Sequence, residues 1–160
     1  MTAMPEVGKK APAFTLPRDS AAGENAKVQL SKFKGQKVVL YFYPKDMTPG
    51  CTTESIDFST MAKEFADQNT VIIGISKDSV ARHDKFIAKH ELNLILASDE
   101  EGTVIEKFGV WQEKKLYGKV YMGIVRSTFL IDEAGKVAAV WPKVRVKGHA
   151  QAVLDAVKEL

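Results

Sequence analysis

The chain holds one cysteine in 160 residues. Cys51 stands in "YFYPKDMTPGCTTES", Tyr41 to Ser55, between an apolar strand-like run and a helix-like pattern. As a thiolate, sulfur is a strong nucleophile and can be oxidised in reversible steps. Reactive groups of α/β sheets gather at the carboxyl ends of strands. A helix start adds unpaired N–H groups and a partial positive charge, which stabilise an anion. Cys51 is expected in both settings, beyond a strand ending near Tyr43 and in the first turn of a helix entered through Pro49-Gly50. Such a setting lowers a thiol pKa from about 8.5 toward neutrality. The plainer alternative is a buried thiol packed as a small hydrophobe; the Pro-Gly entry and the helix start favour the reactive reading.

The elements that must position this thiol follow from periodicity. "KVVLYFYP", Lys37 to Pro44, is almost continuously apolar, as a strand buried on both faces is. Phe58, Met61, Ala62 and Phe65 mark one face of the helix that carries Cys51. "TVIIGIS", Thr70 to Ser76, is a second buried strand. Ser79 is placed to cap a helix to about His90, with Val80, His83 and Ile87 on one face. A short strand near Ile95 and a short helix from Glu101 to Phe108 come next. "RSTFLIDEAGKVAAVW" reads as a hairpin turning at Glu133 to Lys136, and His149 to Leu160 as a final helix. Short strands near Phe14 and Val28 precede all of these. Strands separated by helices, followed by a hairpin, predict an α/β fold with a central mixed sheet between helices and N-terminal extension strands. The length suits one domain over residues 1–160.

Spacing sharpens the chemistry. Pro44, Thr48 and Cys51 stand as P-x-x-x-T-x-x-C. With "FTL" upstream, "YFYPKDMTPGCTTE" around the motif, "RSTFLID" from Arg126 and "KGHA" at Lys147 to Ala150, the chain resembles the peroxiredoxins. The likeness is greatest to the Q-type branch, also called bacterioferritin comigratory protein, and runs from about Val7 to the C-terminus. It implies a thioredoxin-like fold and a thiol peroxidase acting on hydrogen peroxide and organic hydroperoxides. Cys51 would then be the peroxidatic residue, oxidised to a sulfenic acid. Arg126, distant in sequence, would stabilise the anionic sulfur and donate to the peroxide oxygens. Thr48 would hydrogen-bond sulfur and peroxide, although its position also suits an N-cap. Pro44, without an N–H, would line and dry the pocket, although simple strand termination also explains it. Glu54 is a candidate for orienting its neighbours.

Thr48-Pro49-Gly50-Cys51 overlays a thioredoxin C-x-x-C with threonine at the first cysteine, so an internal dithiol cycle is excluded. The sequence also departs from the family. Positions where Q-type members carry a resolving cysteine are held by Ile56 or lie in the cysteine-free "SVARHDKFIAKHE". A 1-Cys cycle follows, with an external thiol reductant, either thioredoxin or glutaredoxin with glutathione. The rival reading is a redox sensor, oxidised once and relaying oxidation to a partner protein.

Other features are plainer. A net charge of +3 with interspersed signs gives no reason to expect nucleic acid. The longest apolar run is far short of the ~20 residues that cross a bilayer, and no secretory leader is visible. A cytoplasmic protein is expected, monomeric or at most a weak homodimer. His83, His90 and His149 lack metal-ligand spacing, so no metal is expected, nor any cofactor. His83 is expected to pack on its helix face, and His149 to open the last helix. "EKKLYGK", Glu113 to Lys119, reads as a solvated loop. Trp111, Tyr117, Tyr121 and Met122 are expected in core packing, with the pocket rim or a partner surface as the alternatives.

Overall fold

The computed structural model describes residues 3–160. Its centre is β3 (Lys37–Phe42), buried at every position. The strand's two-residue period divides the core into two clusters. Val38, Leu40 and Phe42 join Ile73, Ile75, Phe129 and Ile131 on one side of the sheet. Val39 and Tyr41 join Leu96, Leu130 and Cys51 on the other. A strand with solvent on neither face must be apolar throughout, which is the pattern in the sequence.

β3 pairs in parallel with β4 (Thr70–Ser76), which pairs in parallel with β5 (Ile95–Ser98). On its other edge β3 pairs antiparallel with β8 (Ser127–Ile131), which continues into β9 (Val137–Trp141). The sheet order is therefore β5-β4-β3-β8-β9, a mixed sheet of the thioredoxin-like kind. Phe58 and Phe65, from α1 (Pro49–Thr60) and α2 (Ala62–Asp67), cover the face that holds Cys51. Phe86 of α3 (Val80–His90) and Val153, Leu154 and Val157 of α5 (His149–Lys158) complete that layer. The opposite face is covered by Val104, Ile105 and Phe108 of and after α4 (Thr103–Lys107). Leu16 and Val28 of the N-terminal strands β1 (Thr15–Pro17) and β2 (Lys27–Gln29) cover the rest.

Two expectations need correction. The stripe Phe58, Met61, Ala62, Phe65 does not lie on one helix, because α1 ends at Thr60 and α2 starts at Ala62. Met61 joins them, its N–H reaching both Asp57 and Phe58 carbonyls, while the buried Phe58 and Phe65 keep one common side. The second correction is larger. Glu113 to Lys119 is not a loop: β6 (Trp111–Leu116) and β7 (Lys119–Ile124) form a two-stranded sheet of their own. Tyr117 and Gly118 both have positive φ, 52° and 77°, the geometry of a tight two-residue hairpin turn. Much of the hairpin stands in solvent, so no apolar alternation announces it. Tyr117 at the turn, and Tyr121 and Met122 along β7, are exposed instead of packed in the core. Among the described residues no helix is long and apolar enough to cross a membrane.

Candidate active site

Cys51 occupies the first turn of α1, three residues after Thr48 at the N-cap position, with Pro49 opening the helix. Cys51 is buried, at 1% exposure. The chain reaches it directly from β3, because Tyr43 extends the ladder through its N–H to the Ile75 carbonyl before Pro44 turns away.

Arg126 arrives from the segment just before β8, the antiparallel neighbour of β3. It sits between β7 and β8, and its Nη2 donates to Cys51 Sγ at 3.2 Å. Nη1 donates to Glu54 Oε1 at 2.6 Å. Glu54 and Cys51 lie three residues apart, hence on one helix face, so a single guanidinium meets both. Gly50 leaves room for that approach: a Cβ there would stand 3.2 Å from Nη2, a tight contact. Val144 N–H on the Arg126 carbonyl fixes the backbone behind it. Burial works against the Arg126 charge, but Glu54 and Cys51 outweigh it and its pKa is raised.

Glu54 is in tension with its surroundings. Burial pushes its pKa from 4.5 to about 7, although the Arg126 charge and hydrogen bond pull the other way. Its second oxygen, Oε2, is buried without a hydrogen-bond partner. Desolvation thus exceeds what one good ion pair returns, a familiar balance for buried charges.

The threonine differs from expectation in detail. Thr48 is at the N-cap, yet its hydroxyl makes no capping bond. Oγ1 instead donates to the Lys45 carbonyl at 2.8 Å, not to the sulfur. Its proton is therefore committed within the loop and its oxygen lone pairs remain as acceptors. Pro44 is half-buried where β3 leaves the sheet.

Sequence reading missed Lys114. Within "EKK" it looks like one of several solvated charges, but on β6 it is half-buried and its Nζ donates to the Ile124 carbonyl at 2.6 Å. Burial lowers its pKa, the Arg126 charge adds to that, and Cys51 opposes it. It thereby links the two strands of the hairpin at the end of β7, two residues before Arg126. His149 opens α5 as expected and is buried between the rings of Phe58 and Trp141. Its Nε2 lies 2.8 Å from Thr128 Oγ1. Burial, then the Arg126 charge, lowers its pKa to about 4, so the ring is neutral at physiological pH. Among the described residues no cluster of His, Cys, Asp and Glu is placed to hold a metal ion.

Comparison with known proteins gives a consistent result. Residues 7–140 match the profile of the AhpC/TSA family. The chain is 50% identical over 155 residues to peroxiredoxin Bcp of Bacillus subtilis, covering 97% of this chain and 96% of that protein. A putative peroxiredoxin bcp of Coxiella burnetii is 50% identical over 149 residues, covering 93% and 96%. Peroxiredoxin Q of Xanthomonas campestris superposes with a TM-score of 0.87 at 41% identity, covering 96% of this chain and 97% of that one. A second structure from X. campestris, a bacterioferritin comigratory protein studied for alkyl peroxide reduction, has a TM-score of 0.87 at 40% identity, covering 96% and 98%.

Proposed function

The chain belongs to the AhpC/TSA family, and from that premise we propose that it reduces hydrogen peroxide and alkyl hydroperoxides at Cys51 in a 1-Cys cycle. The protein is a peroxidase of the peroxiredoxin kind. The observation that carries the residue assignment is the guanidinium of Arg126, 3.2 Å from the only sulfur nucleophile in the chain.

In the first step the Cys51 thiolate attacks one oxygen of the hydroperoxide and the O–O bond breaks. The S–O bond forms as alkoxide or hydroxide leaves, taking a proton to become alcohol or water. Cys51 is left as a sulfenic acid, two electrons oxidised. Negative charge moves from sulfur to the leaving oxygen during this step. Arg126 suits both ends of that shift, since one arm is fixed by Glu54 and the other lies at the sulfur. A donor already in place where charge develops contributes roughly 10²-fold or more. Thr48, its own proton held on the Lys45 carbonyl, is set to accept from the peroxide O–H. Pro44 offers no N–H to compete for the peroxide.

Regeneration needs thiols from outside the chain, because a second cysteine is lacking. One external thiol condenses with the sulfenic acid, releasing water and leaving a mixed disulfide. A second thiol then displaces Cys51 and carries off the disulfide. Thioredoxin, or glutaredoxin with glutathione, has the chemistry required.

Rapid mixing of reduced protein with peroxide, followed by Trp fluorescence, tests the first step. Cys51→Ser should abolish the reaction, and mass spectrometry should find one added oxygen on Cys51 in the parent. Steady-state peroxide consumption with thioredoxin or glutaredoxin tests the second. A protein that consumes one equivalent and stops with every thiol supplied is a sensor, not a turnover enzyme.

A further inference from the structure

The loop between β3 and α1 contains a residue tethered at four atoms. The Asp46 N–H donates to Asp78 Oδ2 at 2.8 Å, and its carbonyl accepts from Arg82 Nη2 at 3.2 Å. On the side chain, Tyr43 Oη donates to Oδ1 at 2.5 Å, while Oδ2 lies 2.7 Å from His83 Nδ1. The other ring nitrogen of His83, Nε2, is 3.0 Å from the Ala97 carbonyl oxygen. The side chains of Asp46 and His83 are both fully buried. Asp78 is itself fixed by Ser76 Oγ and Arg82 Nε.

Hydrogen-bond complementarity counts the protons. A carbonyl only accepts, so Nε2 of His83 carries a hydrogen. Nδ1 faces a carboxylate oxygen, so a second hydrogen lies between Nδ1 and Oδ2. The pair is therefore electrically neutral as a unit, with both carboxylate oxygens and both ring nitrogens matched. Such an arrangement is stiff, because any rotation leaves a buried polar atom unpaired.

Its place in the chain gives it a consequence for the site. Asp46 is two residues after Pro44 and two before Thr48. Met47, between Asp46 and Thr48, has φ of 67°, a left-handed conformation that is unfavourable for a residue other than glycine. A strained turn of this kind persists only where its neighbours over-determine it, and the four tethers of Asp46 do so. We propose that Asp46 and His83 are positioning residues for peroxide reduction: their buried contact ties the loop before Cys51 to α3 and fixes the segment that carries Pro44 and Thr48. The inference rests on the reading of Cys51, Thr48 and Pro44 as the peroxidase site.

The test compares two reactions of the same sulfur. Reaction with hydrogen peroxide needs Thr48 and Pro44 in place; alkylation by iodoacetamide does not. In Asp46→Ala and His83→Gln the peroxide rate constant should fall about 10- to 100-fold, the effect of misplacing a reacting geometry by about 1 Å. The alkylation rate should stay within about threefold. Asp46→Asn can still accept from Tyr43 and donate to a neutral His83, so it should recover most of the rate lost in Asp46→Ala. Peroxide and alkylation rates changing by the same factor would reveal general loosening and overturn the proposal, as would an unaltered peroxide rate in Asp46→Ala. Should the alanine variant fail to fold, His83→Gln decides by the same two rates: a fall confined to the peroxide reaction supports the tether, and equal changes or none overturn it. Loss of peroxide reaction in Cys51→Ser is an independent control, since its failure would undo the site and not the tether.

Discussion

Two buried ionic contacts flank the start of α1, and they are built differently. In Asp46–His83 every polar atom of both side chains has a partner. In Arg126–Glu54 one carboxylate oxygen has none, burial raises the acid to about 7, and one guanidinium arm is spent on a sulfur atom. The first contact satisfies its groups and so resists change. The second leaves charge in search of compensation beside the nucleophile, as expected where charge must move during reaction. Stability and reactivity are thus assigned to neighbouring contacts on the same loop and helix.

That contrast can be broken by experiment. The largest effect is expected from Arg126→Ala: roughly 10²-fold or more lost from the peroxide rate. Its stability cost should be small at neutral pH, because Glu54, already raised to about 7, takes up a proton when its partner goes. Rapid-mixing rates and urea unfolding of the same sample measure both halves. His83→Ala should do the reverse in stability, costing about 3–5 kcal/mol by leaving Asp46 buried without its partner. If Arg126→Ala proved the more destabilising of the two in urea unfolding, the division of roles would be wrong.

Smaller changes sharpen it. Gly50→Ala sets a Cβ 3.2 Å from Nη2, which the flexible end of an arginine can evade by a few tenths of an ångström. A few-fold loss of peroxide rate with unchanged or slightly improved stability is expected, since alanine favours a helix over glycine. For Glu54 the folded pKa is raised, so its stabilising contribution is complete below about 4.5 and is lost as pH rises through about 7. Glu54→Gln should therefore flatten the fall in stability across that window, read from denaturant midpoints. His149 has the opposite sign. Its folded pKa is lowered to about 4, so its contribution is present above 6.5 and is lost as pH falls toward 4. His149→Gln should soften the acid limb of the same stability profile.

Much of the frame was legible because it obeys short-range rules. The unbroken apolar run of β3, the Ser79 cap whose hydroxyl accepts the Arg82 N–H, and the turn at Gly135 are each set by neighbouring residues. The β6–β7 hairpin escaped because exposed strands carry no apolar alternation and its turn uses a tyrosine in a left-handed conformation. Lys114 escaped with it.

What the sequence determined alone was the nucleophile and its platform: one sulfur, placed where a buried strand gives way to a helix, in a spacing shared with a family of thiol peroxidases. Local chemistry suffices there, because strand burial and helix initiation depend on adjacent residues. How distant groups meet that sulfur was decided by tertiary structure, and beforehand only the family resemblance named Arg126. Arg126 reaches it through strand pairing across the sheet, and Asp46 meets His83 through the docking of α3. Those distances depend on how distant segments pack, and no local pattern encodes them.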